Sequence, residues 1–270
     1  MTALADYPQG KELFRYRFAD GPLAGHSFGN LFLAAAEKMT GSFTDAVAIA
    51  SHMLDIHGRV EPVTRDSSKV WLRTGDGVLH EGEHRISSLD FSSSGRPDIW
   101  LEPAATVTDE AAGAILNADM IVIAQGNLYG SIAPVFAVEG VSAAILEAKQ
   151  SGTKIVYVCN LVNKKGQTDK FTPYDYADEV ERFAGGKILD FVLYNTDRPT
   201  AEVLAKYAAD GDTPVEKKRL RRRKWDLVGA NLLSSEIFET AVGDKIASSR
   251  SLIRHDPDLL AKSLMKIFYT

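Results

Sequence analysis

An α/β fold built on a mostly parallel sheet is what this sequence predicts, and three observations predict it. From Asp109 onward, helix-length segments of about ten residues alternate with short apolar runs, the pattern of a sheet covered by helices on both faces. The apolar runs ending at Ala124, Cys159 and Tyr194 each lead directly into a polar loop containing asparagine. Between Arg59 and Glu102 the period shortens to alternating or three-residue apolar runs, which reads as a β-hairpin insertion into a Rossmann-like layer. The 270 residues, 45% of them hydrophobic, suffice for one large domain, and a single domain over 1–270 is expected, strand-rich at about 59–102.

Taken in order, residues 13–18 read as extended, and Gly25-His26-Ser27-Phe28-Gly29-Asn30 then opens onto 31–39, a run of strong helix formers ended by Gly41. Ser42 followed by Asp45 starts a second helix with Phe43, Ala46, Val47, Ala50, Met53 and Leu54 on one face and Gly58 marking its end. These two helices should pack as a hairpin. Val70-Trp71-Leu72, Val78-Leu79 and Ile99-Trp100-Leu101 are strand candidates, with Asp76-Gly77 a tight turn. Helices are expected over 109–117, 142–150 and 174–183, strands over 120–124, 154–158 and 190–194. Residues 208–223 are the linker candidate. Asp256-Pro257 supplies an N-cap and first-turn proline for a last helix placing Leu259, Leu260, Leu264, Ile267 and Phe268 inward.

Composition narrows the function classes. A single cysteine, Cys159, excludes an intrachain disulfide and reads as a small core side chain in a reducing compartment. No basic-then-apolar leader follows Met1, and no apolar run approaches the roughly 18 residues of a membrane span. A cytoplasmic protein without membrane insertion is expected. A formal charge of -5 argues against a nucleic-acid binder, although Lys217-Lys218-Arg219-Leu220-Arg221-Arg222-Arg223-Lys224 is a dense basic block, either a solvated face or an anion contact.

In an open α/β sheet, ligands bind beyond the carboxyl ends of the strands. Three loops meet that description. Gln125-Gly126-Asn127-Leu128-Tyr129-Gly130-Ser131 offers close backbone approach at Gly126 and donors at Asn127, Tyr129 and Ser131. The second runs from Asn160 through Lys164-Lys165-Gly166-Gln167-Thr168, the third from Asn195 through Arg198. Gly and Asn also serve as ordinary turn residues, so each loop alone is open to that simpler reading. Gly25-His26-Ser27-Phe28-Gly29 has the spacing of a nucleophile elbow, but His255 and Asp256 come in the wrong order to complete a triad. The alternative is that Gly25, His26, Ser27 and Asn30 open a helix toward a ligand in the same cleft. His52, His57, His80 and His84 lack metal-ligand spacing, and no metal site is expected. Arg254-His255-Asp256-Pro257 reads first as a helix start, with Arg254 able to hold an anion. No catalytic residue emerges.

Several of these segments together resemble one family. Leu13-Phe14-Arg15-Tyr16-Arg17-Phe18, Gly25-His26-Ser27-Phe28-Gly29-Asn30, Gly58-Arg59-Val60-Glu61-Pro62-Val63-Thr64, Gly126-Asn127-Leu128-Tyr129-Gly130-Ser131-Ile132, Asn160-Leu161, Gly166-Gln167-Thr168 and Arg254-His255-Asp256-Pro257 are similar, in order, to segments of the gluconeogenesis-factor branch of the CofD family of 2-phospho-L-lactate transferase-like proteins. The resemblance implies a cytoplasmic CofD-like fold and a regulatory protein that binds a nucleotide sugar such as UDP-N-acetylglucosamine, linked to carbon metabolism and cell shape. It implies, alternatively, a transferase moving a phospholactyl group from a nucleotide donor to a deazaflavin, with a divalent metal. No other cofactor is expected. In both cases the ligand is a nucleotide sugar or nucleotide diphosphate. The family normally begins with a first strand and glycine-rich phosphate loops, and this sequence starts downstream of them. An edge left by that strand makes a homo-oligomer or an assembly role the third expectation. The loop Ala124-Gln125-Gly126-Asn127 stands where the family favours Gly-Pro-Gly-Ser, and Gly130 stands where Thr is usual.

Overall fold

The structure, a computed structural model, describes residues 1–217, 222–235 and 253–270. They fall into two compact units, one spanning Met1–Arg65 and the other running from Asp66 and including 253–270. Each is built around its own core.

The N-terminal unit holds three helices. Helix α1, Pro8–Arg15, begins on a first-turn proline and buries Phe14. Leu13, Phe14 and Arg15 are therefore helical rather than extended as the sequence predicted, because Phe14 packs with Ala50 and Leu54 in the core of this unit. Helix α2, Phe28–Thr40, ends at Gly41, whose φ of 74° is the left-handed conformation that glycine adopts without strain. Helix α3, Phe43–Leu54, is capped by the Ser42 side chain and lies against α2, as expected. It closes at Asp55 rather than Gly58. Its buried stripe is Ala46, Val47, Ala50 and Leu54, while Phe43 and Met53 fall on the flanks and are exposed.

The second unit opens with three antiparallel strands, β1 (Lys69–Arg73), β2 (Leu79–Glu81) and β3 (Asp98–Glu102), in the order β2-β1-β3. Trp71 and Trp100 are register partners and stack with centroids 6.3 Å apart. A short helix, α4 (Glu83–Ser87), follows β2. Helix α5 (Asp109–Leu116) leads to strand β4 (Met120–Ile123), a π-helical turn at Leu128–Ile132, and helices α6 (Ala133–Phe136) and α7 (Val141–Gln150). Next come β5 (Lys154–Val158), β6 (Val162–Asn163), α8 (Pro173–Phe183), β7 (Phe191–Asn195), α9 (Ala201–Asp210), β8 (Thr213–Pro214), β9 (Asp226–Ala230) and α10 (Pro257–Phe268).

The main sheet is four parallel strands in the order β4-β5-β7-β9. Side chains alternate across it. Val156, Val158 and Leu193 face α10, meeting Ile267, Leu260 and Leu264. Ile155, Tyr157 and Val192 point the other way and are fully buried, with α8 beside β7. The α/β class, the parallel sheet flanked by helices and the strand-rich hairpin region are as the sequence predicts. Two features of 208–230 were not foreseen. Residues 213–214 form β8 and pair antiparallel with β6, and Asp226–Ala230 forms the fourth parallel strand, β9. Gly229 weakens the strand signal of β9 and is required there, since a Cβ would lie 2.8 Å from Thr196 and 2.9 Å from the Tyr194 hydroxyl. Within the linker and basic-block candidates, 218–221 lie outside the described residues.

Candidate functional site

In the N-terminal unit, Ser27 is the N-cap of α2, its hydroxyl accepting from the Asn30 amide at 3.3 Å. Its backbone is ordinary extended chain (φ -87°, ψ 144°), without the strained turn of a nucleophile elbow. The Gly25 carbonyl accepts from Arg17 at 2.5 Å, tying the loop to the preceding chain. His26 and Asn30 are exposed at this helix start. Gly29 lets α2 approach closely, because a Cβ there would lie 2.8 Å from the Phe14 carbonyl.

In the second unit, the loop after β4 is folded by its own asparagine. Asn127 caps the π-helical turn, its Oδ1 accepting from the Gly130 amide at 3.0 Å and its Nδ2 donating to Ser87 at 3.3 Å. Gly130 has no room for a side chain, since a Cβ would sit 2.8 Å from the Ser87 hydroxyl. Ser131 is exposed and reaches Glu83 at 3.5 Å. Tyr129, by contrast, is turned into the core. Its ring packs against Phe91 and Phe183, its hydroxyl donates to the buried Glu179 at 3.3 Å, and burial holds that phenol far above its ordinary pKa. The donor expected on the loop surface is already engaged inside.

Asn160, just beyond β5, joins this loop to the next. Its Nδ2 donates to the Gly126 carbonyl at 2.8 Å, and its Oδ1 accepts from the Tyr157 hydroxyl at 3.3 Å. Cys159 before it is a core residue, its thiol pushed up by burial. The rest of the second loop is occupied by packing. Gln167 donates to the Ile86 carbonyl at 2.8 Å, Lys164 donates to the Ser87 carbonyl, and a Cβ on Gly166 would collide with Asp90. Burial lowers the Lys164 pKa.

Asn195 ends β7 in a tight local turn. Its Nδ2 donates to the Asp197 carbonyl at 2.6 Å, and its Oδ1 accepts from the amides of Asp197 and Leu232 at 3.2 and 3.1 Å. A cavity of about 320 Å³ opens beside it, lined among others by Thr196, Arg198, Val215 and Lys217. Lys217 lies 5.5 Å from the Tyr194 ring centroid, within cation–π range.

The residue that sequence reasoning missed is His255. Asp256 takes the capping role at α10, its Oδ1 accepting from the Asp258 and Leu259 amides at 3.0 and 2.9 Å. A bridge between Leu233 and His255 then carries the imidazole to the end of β5, where it bonds the Cys159 backbone. Burial pushes its pKa down to about 4, and its Nε2 is buried without a partner among the described residues. A neutral imidazole with one nitrogen donating to a carbonyl leaves the other as an acceptor. Arg254 lies on the same segment, exposed, its carbonyl accepting from Ser234 at 2.9 Å.

Asn160 thus meets the Gly126 loop at the carboxyl ends of β4 and β5 with His255 beside Cys159, and Asn195 ends β7 on the same edge of the sheet, the edge where such sheets take their ligands. The asparagine side chains are engaged in holding the loops, and the groups left for a ligand are a neutral imidazole and the cations at Arg198 and Lys217. A divalent metal does not fit what is present: among the described residues, no three histidine, cysteine or acidic side chains come together as a ligand set.

An open parallel sheet with polar loops gathered beyond its strand ends defines a Rossmann-like α/β protein. The chain belongs to the CofD family, whose profile, described as 2-phospho-L-lactate transferase CofD, matches residues 1–233. A protein of Aquifex aeolicus named as a gluconeogenesis factor is 33% identical over 99% of this chain and 78% of its own length. One from Thermotoga maritima, named likewise, is 35% identical over 95% of this chain and 77% of its own. The gluconeogenesis factor of Bacillus subtilis is 28% identical over 99% and 80%. A crystal structure of a Bacillus halodurans protein superposes with a TM-score of 0.83 at 28% identity, covering 98% of this chain and 80% of that one.

Proposed function

We propose that this protein binds a nucleotide sugar such as UDP-N-acetylglucosamine at the carboxyl end of its parallel sheet, and acts in the cytoplasm as a regulatory protein of the gluconeogenesis-factor type, linked to carbon metabolism and cell shape. The observation that carries the reading is the junction of Asn160, the Gly126 loop and His255, where the buried Nε2 awaits a donor such as a sugar or ribose hydroxyl. Arg198 and Lys217 at the neighbouring cavity supply charge for a diphosphate. The names of the Aquifex, Thermotoga and Bacillus relatives support the gluconeogenesis-factor part of this reading. Gly25, His26, Ser27 and Asn30, at the start of α2 within the N-terminal unit, are proposed in their own right as ligand-binding residues, to be tested through His26→Ala. Calorimetric titration with UDP-N-acetylglucosamine should give saturable heat and raise the melting temperature by mass action. Absence of both at millimolar ligand would sink the proposal.

A second reading, phospholactyl transfer from a nucleotide donor to a deazaflavin, is favoured by the description of the matching family profile. Product formation with donor, acceptor and divalent metal would establish it over the first. As for partners, β4 pairs only with β5 among the described residues, and its charge-free Met-Ile-Val-Ile run leaves Val122 39% exposed. A second copy of the chain is the proposed occupant of that edge.

A further inference from the structure

The second unit carries another cavity, of about 890 Å³, at the opposite end of the sheet from the strand-end loops. It lies where α8 ends at Gly185 and Gly186 and where the chain enters β9. Six cationic side chains line it, Arg96, Arg182, Lys187, Arg222, Arg223 and Lys224, against two carboxylates, Asp178 and Glu181. Such an excess of positive charge in a protein of formal charge -5 is a local arrangement rather than a property of the whole surface.

The ion pairs account for only part of it. Arg223 pairs with Asp178 at 2.6 Å and Lys187 with Glu181 at 2.8 Å, while Arg96 and Arg182 share the buried Glu179 at 3.0 and 2.7 Å. Among the described residues, Arg222 and Lys224 make no ion pair, and both are exposed. Two further lining groups are unsatisfied. Among the described residues, Trp225 is 4% exposed with no acceptor for its Nε1–H, and Glu181 is 3% exposed with no donor to Oε1. Burying such groups without partners is costly, which makes them candidates for ligand contacts.

We propose that this cavity is a second binding site, and that it takes an organic polyphosphate such as a nucleoside triphosphate. The phosphates would be held by Arg222, Lys224 and the neighbouring guanidinium groups. The organic part would accept from Trp225 Nε1 and donate to Glu181 Oε1. Bare phosphate chains satisfy the charge but cannot donate to the carboxylate. The five residues of β9 separate this cavity from the strand-end site by about 17 Å at 3.3 Å per residue.

Calorimetry at fixed ionic strength with ATP, GTP and inorganic tripolyphosphate tests the assignment. At least one nucleotide should bind at least fivefold more tightly than tripolyphosphate. The double variant R222Q/K224Q, which breaks no ion pair, should weaken that binding at least tenfold while keeping the melting temperature. Trp225→Phe should erase the preference for nucleotide over tripolyphosphate. Asn160→Ala, at the other end of the sheet, should leave nucleotide affinity unchanged. The proposal is overturned if no nucleotide binds at 1 mM, if R222Q/K224Q binds as the parent does, if affinity falls with Asn160→Ala instead, or if a single-stranded RNA 20-mer binds more tightly than any nucleotide. Because Asn160 is not part of this site, failure here leaves the nucleotide-sugar reading standing, and the reverse holds as well.

Discussion

Asn160 shows how one side chain serves both fold and site. Its amide spans from the Tyr157 hydroxyl to the Gly126 carbonyl, so it holds the loop after β4 to the end of β5. Truncation to alanine leaves both partners without their bond, and Asn160→Ala should cost about 1–3 kcal/mol of stability. If the amide also meets ligand, affinity for the nucleotide sugar falls by a comparable amount. Urea unfolding and calorimetry on the same variant separate the two, and unchanged affinity at saturating folded protein would remove Asn160 from the site. His255 yields a prediction of opposite character. Its pKa is held at about 4 in the fold, against about 6.5 in an unfolded chain. Between those values the unfolded state binds the extra proton, so stability is intact above pH 6.5, falls as pH drops, and has lost about 3 kcal/mol below pH 4. In His255→Gln this contribution is absent, so the difference between parent and variant in urea midpoints at pH 7, 5.5 and 4 should shrink or reverse toward acid. Sequence placed Asn160 at a strand end correctly, because an apolar run followed by asparagine marks that position. It could not place His255, whose neighbour Asp256 carries a strong capping signal that masks the long-range Leu233 bridge.

Among the elements, those with a clear period were the legible ones. Strands β4, β5 and β7 and helices α7, α8 and α10 announce themselves by apolar run length, caps and first-turn prolines. The misreadings share a cause, which is that tertiary contact overrode a local signal. Leu13–Arg15 became helical because Phe14 anchors α1 in its core, and β9 formed from a run broken by Gly229 because it adds to an existing edge at β7. Helix α10 is the element whose energetic role is most direct. Ile267 is 3% exposed against Val156, Val158 and Leu193, and Lys154 at the start of β5 donates to the carbonyls of Ile267 and Phe268 at 3.3 and 2.8 Å. Ile267→Ala should therefore cost about 2–5 kcal/mol through lost burial and a residual cavity. Thermal unfolding provides the check, and a loss below about 1 kcal/mol would mean that α10 does not seal the sheet.

For the whole molecule, the open side of β4 has a measurable consequence. A parallel sheet ordinarily buries its apolar strands on both faces, yet Val122 is 39% exposed on a strand that, among the described residues, is paired on one side only. Light scattering should show association that grows with concentration at micromolar protein, and Val122→Lys should shift the distribution toward monomer without lowering the melting temperature. A strictly monomeric parent would argue against self-pairing there.

The position of α10 in the chain bears on biosynthesis. Residues 257–268 are translated after every strand of the main sheet, and they supply the cover for the face formed by Val156, Val158 and Leu193. Until those residues have left the ribosome, that face lacks its α10 cover, and a nascent chain with an exposed apolar sheet is prone to sticking to its neighbours. Folding of this unit is thereby tied to completion of translation through residue 268, and a ribosome paused before Pro257 would hold an aggregation-prone intermediate in need of a chaperone.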